Sequence, residues 1–235
     1  MYDFISKMLN KLGTIYGGWD IPMDAQLDEN SIIYSGGVGE DISFDLILQH
    51  KYDSNIVLID PTKRAKVHYN QVKEFYKTRE YNFSGDIQTD YLHHIMNLKP
   101  NLSKFTYLDL GLHKKKDLLK FYKQHNEKYV SQSLVSNMFS DKFDLVEVDT
   151  IKNIMSNLGH SHIDLLKLDI EGSEVEVLNN MLDDKILPKY LCIEFDLLIK
   201  NKDTDNLTRS LIKRLEGNGY KILINNDFNI TFELN

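Results

Sequence analysis

The sequence predicts an α/β chain built on a mainly parallel sheet, and three observations carry the prediction. Short apolar, β-branched runs recur at 31–35, 56–59, 105–110, 163–169 and 191–196, separated by stretches with helical spacing. The chain closes on two strand-like runs joined by a tight turn, at 220–224 and 230–234. Third, the central runs stop at glycine or at an acid: Gly37 and Gly39, Asp60, Gly111, Asp169, and Glu194 with Asp196. Ligands of open α/β sheets lie at the carboxyl ends of the strands. A solvated strand cap explains any one of these residues, but the set favours a ligand site.

The elements follow in order. Phe4, Ile5, Met8, Leu9 and Leu12 recur at helical spacing, so a short helix ending near Gly13 is expected. Trp19, the single tryptophan, either roofs a pocket or anchors this N-terminal cap. Residues 31–60 read as strand, glycine turn, helix and strand, with Pro61 breaking the second strand. Thr62 is placed to cap a helix running to about Lys77, with Ala65, Val67, His68, Val72, Phe75 and Tyr76 apolar. A loop at 78–87 and a short helix around Tyr91 to Met96 lead to the third strand, which Gly111 ends. Residues 113–128 hold six lysines (114, 115, 116, 120, 123 and 128) against two acids. They read as a solvated loop or edge hairpin, or as a surface attracting an anionic substrate. Residues 130–137 read as irregular, 143–148 as a strand of period two, and 150–158 as a helix. Ser173 and Glu176 have capping-box spacing ahead of a helix. A helix at 203–217 has Leu207, Leu211, Ile212 and Leu215 on one face.

Composition bounds the function. The chain has 235 residues, 42% hydrophobic and 27% charged, enough for a sizeable core. One domain is expected, with residues 1–30 as a helical cap on a core of 31–235. The net charge of −7 disfavours nucleic acid as the main partner. Cys192 lies in an apolar run and reads as a buried, inert thiol. No apolar run reaches the roughly 20 residues that span a bilayer, and no signal-peptide pattern opens the chain, so a cytoplasmic location is expected. Oligomeric state is not legible.

The βαβ unit of 31–60 has the layout of an adenosine-cofactor site, with glycines at the first turn and an acid about 20 residues on. Asp60 would accept hydrogen bonds from ribose hydroxyls. Glu40 and Asp41 fall in what the spacing makes the first turn of the helix, where a dinucleotide would place its pyrophosphate. Carboxylates there cost on the order of 1 kcal/mol or more per close pair. S-adenosylmethionine carries no phosphate and does carry a sulfonium and an ammonium, so acids suit it.

The stretches YSGGVGEDISFD (34–45), IDPT (59–62), Gly111-Leu112, VSQSLV (130–135) and above all IDLLKLDIEGSEVEVL (163–178) followed by IEFD (193–196) resemble the FkbM family of S-adenosylmethionine-dependent methyltransferases. The resemblance runs from about Tyr16 to Asp196. It implies a Rossmann-like class I methyltransferase fold: a mainly parallel seven-stranded sheet with an antiparallel C-terminal hairpin and helices on both faces. It also implies methyl transfer, commonly to a hydroxyl of a sugar, a nucleotide-linked sugar or glycan precursor, or another small metabolite. Carried over, Gly37 and Gly39 form the turn under the cofactor and Asp60 matches the ribose acid. Gly111 and Leu112 match the strand end near the adenine, and Asp169 and Glu171 the acids beside the methyl group and the acceptor. The family often has Glu-Phe-His where this chain has Glu194-Phe195-Asp196, which puts a histidine base in doubt here.

A sugar hydroxyl is a weak nucleophile, so a base or a metal must take its proton. Asp169, Glu194 and Asp196 are candidates for the base, and the same three could hold a divalent cation. Two other readings compete. A nicotinamide-dependent oxidoreductase would share the βαβ unit, but Glu40 and Asp41 and the missing third glycine oppose it. A non-catalytic S-adenosylmethionine-binding module would keep the fold without the transfer.

Overall fold

The computed structural model describes residues 8–123, 132–133, 143–196 and 206–235. It opens with an antiparallel hairpin, β1 (Leu9–Leu12) and β2 (Trp19–Pro22), in which Leu12 faces Trp19. The helical spacing expected at Leu9 and Leu12 is therefore corrected, while Phe4 and Ile5 lie outside the described residues. Pairing wins because the hairpin buries Leu12, Trp19 and Ile21 together against the main core.

The central unit follows as read from the sequence. Strand β3 (Ile32–Gly36) leads to α1 (Ser43–Tyr52), β4 (Asn55–Ile59) and α2 (Lys63–Thr78). Thr62 caps α2 by accepting from the Ala65 amide at 3.2 Å. Val67 is exposed, and Tyr69 takes the buried place expected for it. Helix α3 (Tyr91–Ile95) and strand β5 (Phe105–Leu108) complete this half.

Gly111 does not simply end the third strand. With Leu112 it forms β6 (Gly111–Leu112) of a separate sheet that also contains β7 (Asp117–Lys123), β8 (Gln132–Ser133) and β9 (Phe143–Asp149), in the order β6-β9-β7-β8. The lysine-rich stretch is thus largely an antiparallel hairpin partner. The strand of period two at 143–149 belongs to this second sheet rather than to the main one.

The main sheet resumes after α4 (Ile151–Leu158) with β10 (Leu165–Leu168), α5 (Glu174–Asp183), β11 (Tyr190–Glu194), α6 (Asn206–Gly217), β12 (Tyr220–Asn226) and β13 (Asn229–Leu234). Its seven strands run β12-β13-β11-β10-β3-β4-β5. Six run in one direction, and β13 inserts antiparallel between β11 and β12. Side chains alternate between two cores, as period two requires. Ile33, Ile56, Leu58, Leu165 and Cys192 join α1 and α2 on one face, whereas Tyr34, Val57, Leu166, Leu168 and Ile193 join α4, α5 and α6 on the other. Leu207 of α6 is exposed, outside the buried face expected for it. Cys192 is a free thiol, and burial pushes its pKa up to about 12, so it is inert as expected.

The strand order places β3 and β10 side by side at the centre, with β4 next to β3. Their carboxyl ends therefore converge, and the loops that leave them face one another.

Candidate functional site

A cavity of about 310 Å³ opens at those carboxyl ends. Its floor is the turn after β3. Gly37 has φ +70°, and a Cβ there would come within 1.6 Å of the Asp169 carbonyl oxygen. Glycine is required because the turn presses on the neighbouring loop of its own chain. The Gly37 amide donates to the Ile59 carbonyl at 3.0 Å.

Asp60 at the end of β4 organises the turn. Its Oδ2 accepts from the amides of Val38 and Gly39, each at 3.0 Å, and its Oδ1 from the Thr62 amide at 2.8 Å. Two turn amides that could cradle a phosphate are thus already committed to a carboxylate. Asp60 also lines the cavity.

The two acids after the glycines are placed differently from the sequence expectation. Helix α1 starts only at Ser43, so neither lies in its first turn. Glu40 takes a two-pronged bond from Arg64 (3.0 and 2.5 Å) and one from the Asp86 amide at 2.9 Å. Gly85 packs on the same carboxylate, where a Cβ would sit 2.1 Å from Oε1. Glu40 therefore ties α2 and the loop before α3 to the turn. Asp41 accepts from the Ser43 amide at 2.9 Å and from the Thr14 hydroxyl at 2.5 Å, tying the N-terminal hairpin to α1. Both still reach the cavity lining.

One wall is apolar. Ile59, Pro61, Leu112, Phe121 and Val148 form it, the last three contributed by the second sheet. Another part of the lining is acidic. Asp169 and Glu171 follow β10, and Glu171 holds φ +59° at the cavity edge. A non-glycine residue in that region is strained and persists because its surroundings hold it. Here the holder is Glu174, whose Oε1 accepts from the amides of Ile170 (3.0 Å) and Gly172 (3.1 Å). Ser173 makes no side-chain cap, so the expected capping box is replaced by this bond set.

Of the acids expected at the acceptor side, Asp169 and Glu171 line the cavity, and Glu194 and Asp196 do not. β11 ends at Glu194, so the alternation that would relate the two acids stops there. Asp196 is buried and faces Glu174 electrostatically. Burial, reinforced by Asp196, raises Glu174 to about 8. Burial, then Asp169 and Asp196, raises Glu194 to about 8, against the opposing pull of Lys167. Among the described residues, no group of three His, Cys, Asp or Glu side chains is arranged to hold a metal ion. Asp169, Glu194 and Asp196 form no such group.

Two features were not found from the sequence. Tyr16 lines the cavity mouth, while Trp19 is buried in the core beneath. Partial burial and the carboxylates of Asp169, Glu194, Glu171 and Asp41 push the Tyr16 phenol up to about 12, so it is a neutral donor at physiological pH. Lys167, in the middle of the motif, carries an ammonium into the sheet beneath the turn. A tyrosine beside a Gly-Gly pair carries no period or spacing signal, but a lysine at a core position of a strand is visible as an anomaly.

The described lysines of the basic stretch are mostly paired: Lys114 with Glu176 (2.8 Å), Lys115 with Asp117 (2.6 Å) and Lys116 with Asp149 (4.0 Å). Lys120 lies over the Phe143 ring. Lys128 lies outside the described residues.

Fold and cavity together define a Rossmann-like α/β chain of class I methyltransferase topology, with its pocket at the strand ends. Residues 75–222 match the methyltransferase FkbM domain, more than half of the chain, and the chain belongs to that family. It is a methyltransferase by family, and the family implies S-adenosylmethionine as cofactor. Gly111, Leu112, Asp169, Glu171, Glu194 and Asp196 fall within the matched segment, whereas the glycine turn and Asp60 precede it. The fold is also similar to a chain in the crystal structure of a fibrillarin/Nop5p complex, at 14% identity and a TM-score of 0.44, covering 88% of this chain and 74% of that one. No curated protein matches the chain in sequence. Among the described residues, no helix is long and apolar enough to cross a membrane.

Proposed function

We propose that the chain transfers a methyl group from S-adenosylmethionine to a hydroxyl of a small, uncharged metabolite, a sugar being the leading class. The observation that carries this reading is the commitment of the Val38 and Gly39 amides to Asp60. It leaves a carboxylate in the cavity lining where free amides would otherwise be, which suits ribose hydroxyls and opposes a pyrophosphate. The apolar wall of Ile59, Pro61, Leu112, Phe121 and Val148 suits a purine, and the acidic wall suits a ligand with cationic groups.

When bound, the cofactor would supply an electrophilic methyl group on a sulfonium. The chain's own work is positional and acid–base. The acidic wall draws the cationic end of the cofactor, and the acceptor would enter beside Tyr16. Asp169 is the base of choice, because it lines the cavity with the Lys167 ammonium 3.7 Å away to offset its charge. Glu194, raised to about 8, lies off the cavity lining and acts on Asp169 through charge alone, holding its own proton at neutral pH so that it adds no second negative charge beside the base. Asp196 is set aside as a base and acts on Glu174. The carboxylates around the mouth oppose an anionic acceptor, and the ion pairs of Lys114, Lys115 and Lys116 weaken the case that the basic stretch recruits one.

Calorimetric titration with S-adenosylhomocysteine and with NAD tests the donor: binding of the first and not the second is expected, and the reverse overturns the reading. Labelled S-adenosylmethionine with pools of neutral and phosphorylated sugars tests the acceptor. Label appearing only in phosphorylated species would overturn the uncharged class. Asp169→Asn is expected to slow turnover by about 100-fold or more, within the range of general base catalysis.

A further inference from the structure

Lys167 stands in the middle of the IDLLKLDIEG motif, inside a core strand. It lies in β10 between Ser35 of β3 and Cys192 of β11, and its side chain is 7% exposed. An ammonium so far from water needs partners. Its Nζ donates to the Gly37 carbonyl and stands 3.7 Å from Asp169 Oδ2. Gly37 is thereby held on three sides: by the Ile59 carbonyl at its amide, by Lys167 at its carbonyl, and by the Asp169 carbonyl against its α-carbon. The titratable groups facing Lys167 are Asp45 from α1, Cys192 and Glu194 from β11, and Asp169 from the following loop. Tyr16 and Glu171 join the same acid group from farther out. Lys167 is the one cation placed among them in the described residues.

We propose that Lys167 is a positioning residue coupling the two halves of the site: it fixes the donor turn at Gly37 and, through the same ammonium, sets the charge state of the acceptor-side acids Asp169 and Glu194. The proposal rests on reading the cavity as an S-adenosylmethionine site. A mere core filler would affect folding alone. A coupling cation affects affinity and its pH dependence together, because the same group makes the backbone bond and supplies the charge.

The test is S-adenosylhomocysteine affinity by calorimetry from pH 5 to 9 in the wild type, Lys167→Met and Lys167→Arg. In the wild type, affinity falls as pH drops and the acids that face the ligand's ammonium protonate. In Lys167→Met, affinity should weaken by about 10-fold or more through loss of a charge-assisted bond to the turn. The midpoint of its pH dependence should rise by about one unit, since removing a nearby cation favours the protonated acids. Lys167→Arg should restore the midpoint, with incomplete recovery of affinity because the planar guanidinium cannot reproduce the point contact. Lys167→Met folded and binding as the wild type does overturns the proposal, as does weakened binding with an unmoved midpoint. If Lys167→Met does not fold, Asp45→Asn with Lys167→Met is compared with Asp45→Asn alone, which removes both buried charges and reads the same two quantities. A wild type that does not bind S-adenosylhomocysteine overturns the cofactor reading itself. Binding in the wild type with no change in the variants overturns only the role of Lys167.

Discussion

The glycine turn and the buried acids behind β10 and β11 are built on opposite electrostatic plans. Around the turn every named carboxylate has its charge answered: Asp60 by three backbone amides, Glu40 by Arg64 and the Asp86 amide, Asp41 by the Ser43 amide and Thr14. Behind β10 and β11, off the cavity lining, Glu194 and Glu174 are buried beside other acids and held protonated up to about pH 8. The first arrangement fixes shape, because each bond is directional and loses strength quickly when broken. The second stores proton affinity, because like charges in a poorly solvated place keep a proton that water would take. Donor binding needs a rigid mould, and proton removal from a hydroxyl needs groups whose charge can change.

Five experiments break or sharpen this contrast. The largest effect is expected from Gly37→Ala. A Cβ at φ +70° and 1.6 Å from a backbone oxygen cannot be relieved by a rotamer, so the turn must move. Binding of S-adenosylhomocysteine should fall by about 100-fold or more, and Tm by roughly 10 °C, scaled from a cost of several kcal/mol. Retained affinity would show that the turn is not the mould.

Arg64→Met comes next. It strands the buried Glu40, at a cost of up to about 3 kcal/mol; the figure is kept below that for fully buried pairs because Arg64 is about one-third exposed. Adding Glu40→Gln should recover most of the loss in chemical denaturation, which a packing role for Arg64 would not allow. Asp60→Asn follows. Its amide can accept on one side only and turns a donor toward amides that need an acceptor, so homocysteine-adduct affinity should drop by about 10-fold, with a smaller effect on Tm.

Glu174→Gln probes the acidic side. In the folded chain Glu174 titrates near 8 and unfolded near its ordinary 4.5, so between these values the native state holds the extra proton. Its stabilising contribution is present in full below 4.5 and is lost as pH rises toward 8. Glutamine mimics the protonated form, so Tm at pH 8 should rise by a few degrees while Tm at pH 5 stays unchanged. A parallel rise at both pH values would assign the effect to packing. His68 acts in the opposite sense at lower pH: burial pulls it to about 4, and its contribution is lost as pH falls from 6.5.

The smallest effect is expected from Lys114→Gln, Lys115→Gln and Lys116→Gln combined. These lysines are exposed, and such pairs contribute about 0–1 kcal/mol. Homocysteine-adduct affinity should stay within about twofold of the wild type. A marked loss would return the basic stretch to the site.

The sequence by itself determined the order of strands and helices in the central unit, the closing hairpin, and the family. These follow from periods of two and 3.6, from glycine and acid at the strand ends, and from a motif read along the chain. It also brought Gly37, Gly39, Asp60 and Asp169 to one place, because carboxyl ends of adjacent parallel strands must converge, while Leu112 and Glu171 came with the family resemblance and Gly111 reaches the cavity from the second sheet. Tertiary structure alone decided what those groups touch. Asp60 serves the turn before any ligand, Glu40 is matched by an arginine 24 residues away, and Asp196 is diverted to Glu174 once its strand ends. The hairpin at 9–22 overrode a helical spacing because pairing buried Trp19. Through-space partners are selected by burial and charge balance among elements distant in sequence, and no local period encodes them. Lys167 marks the boundary: the sequence displays a lysine in a core strand, and only the packed sheet assigns it the Gly37 carbonyl and Asp169.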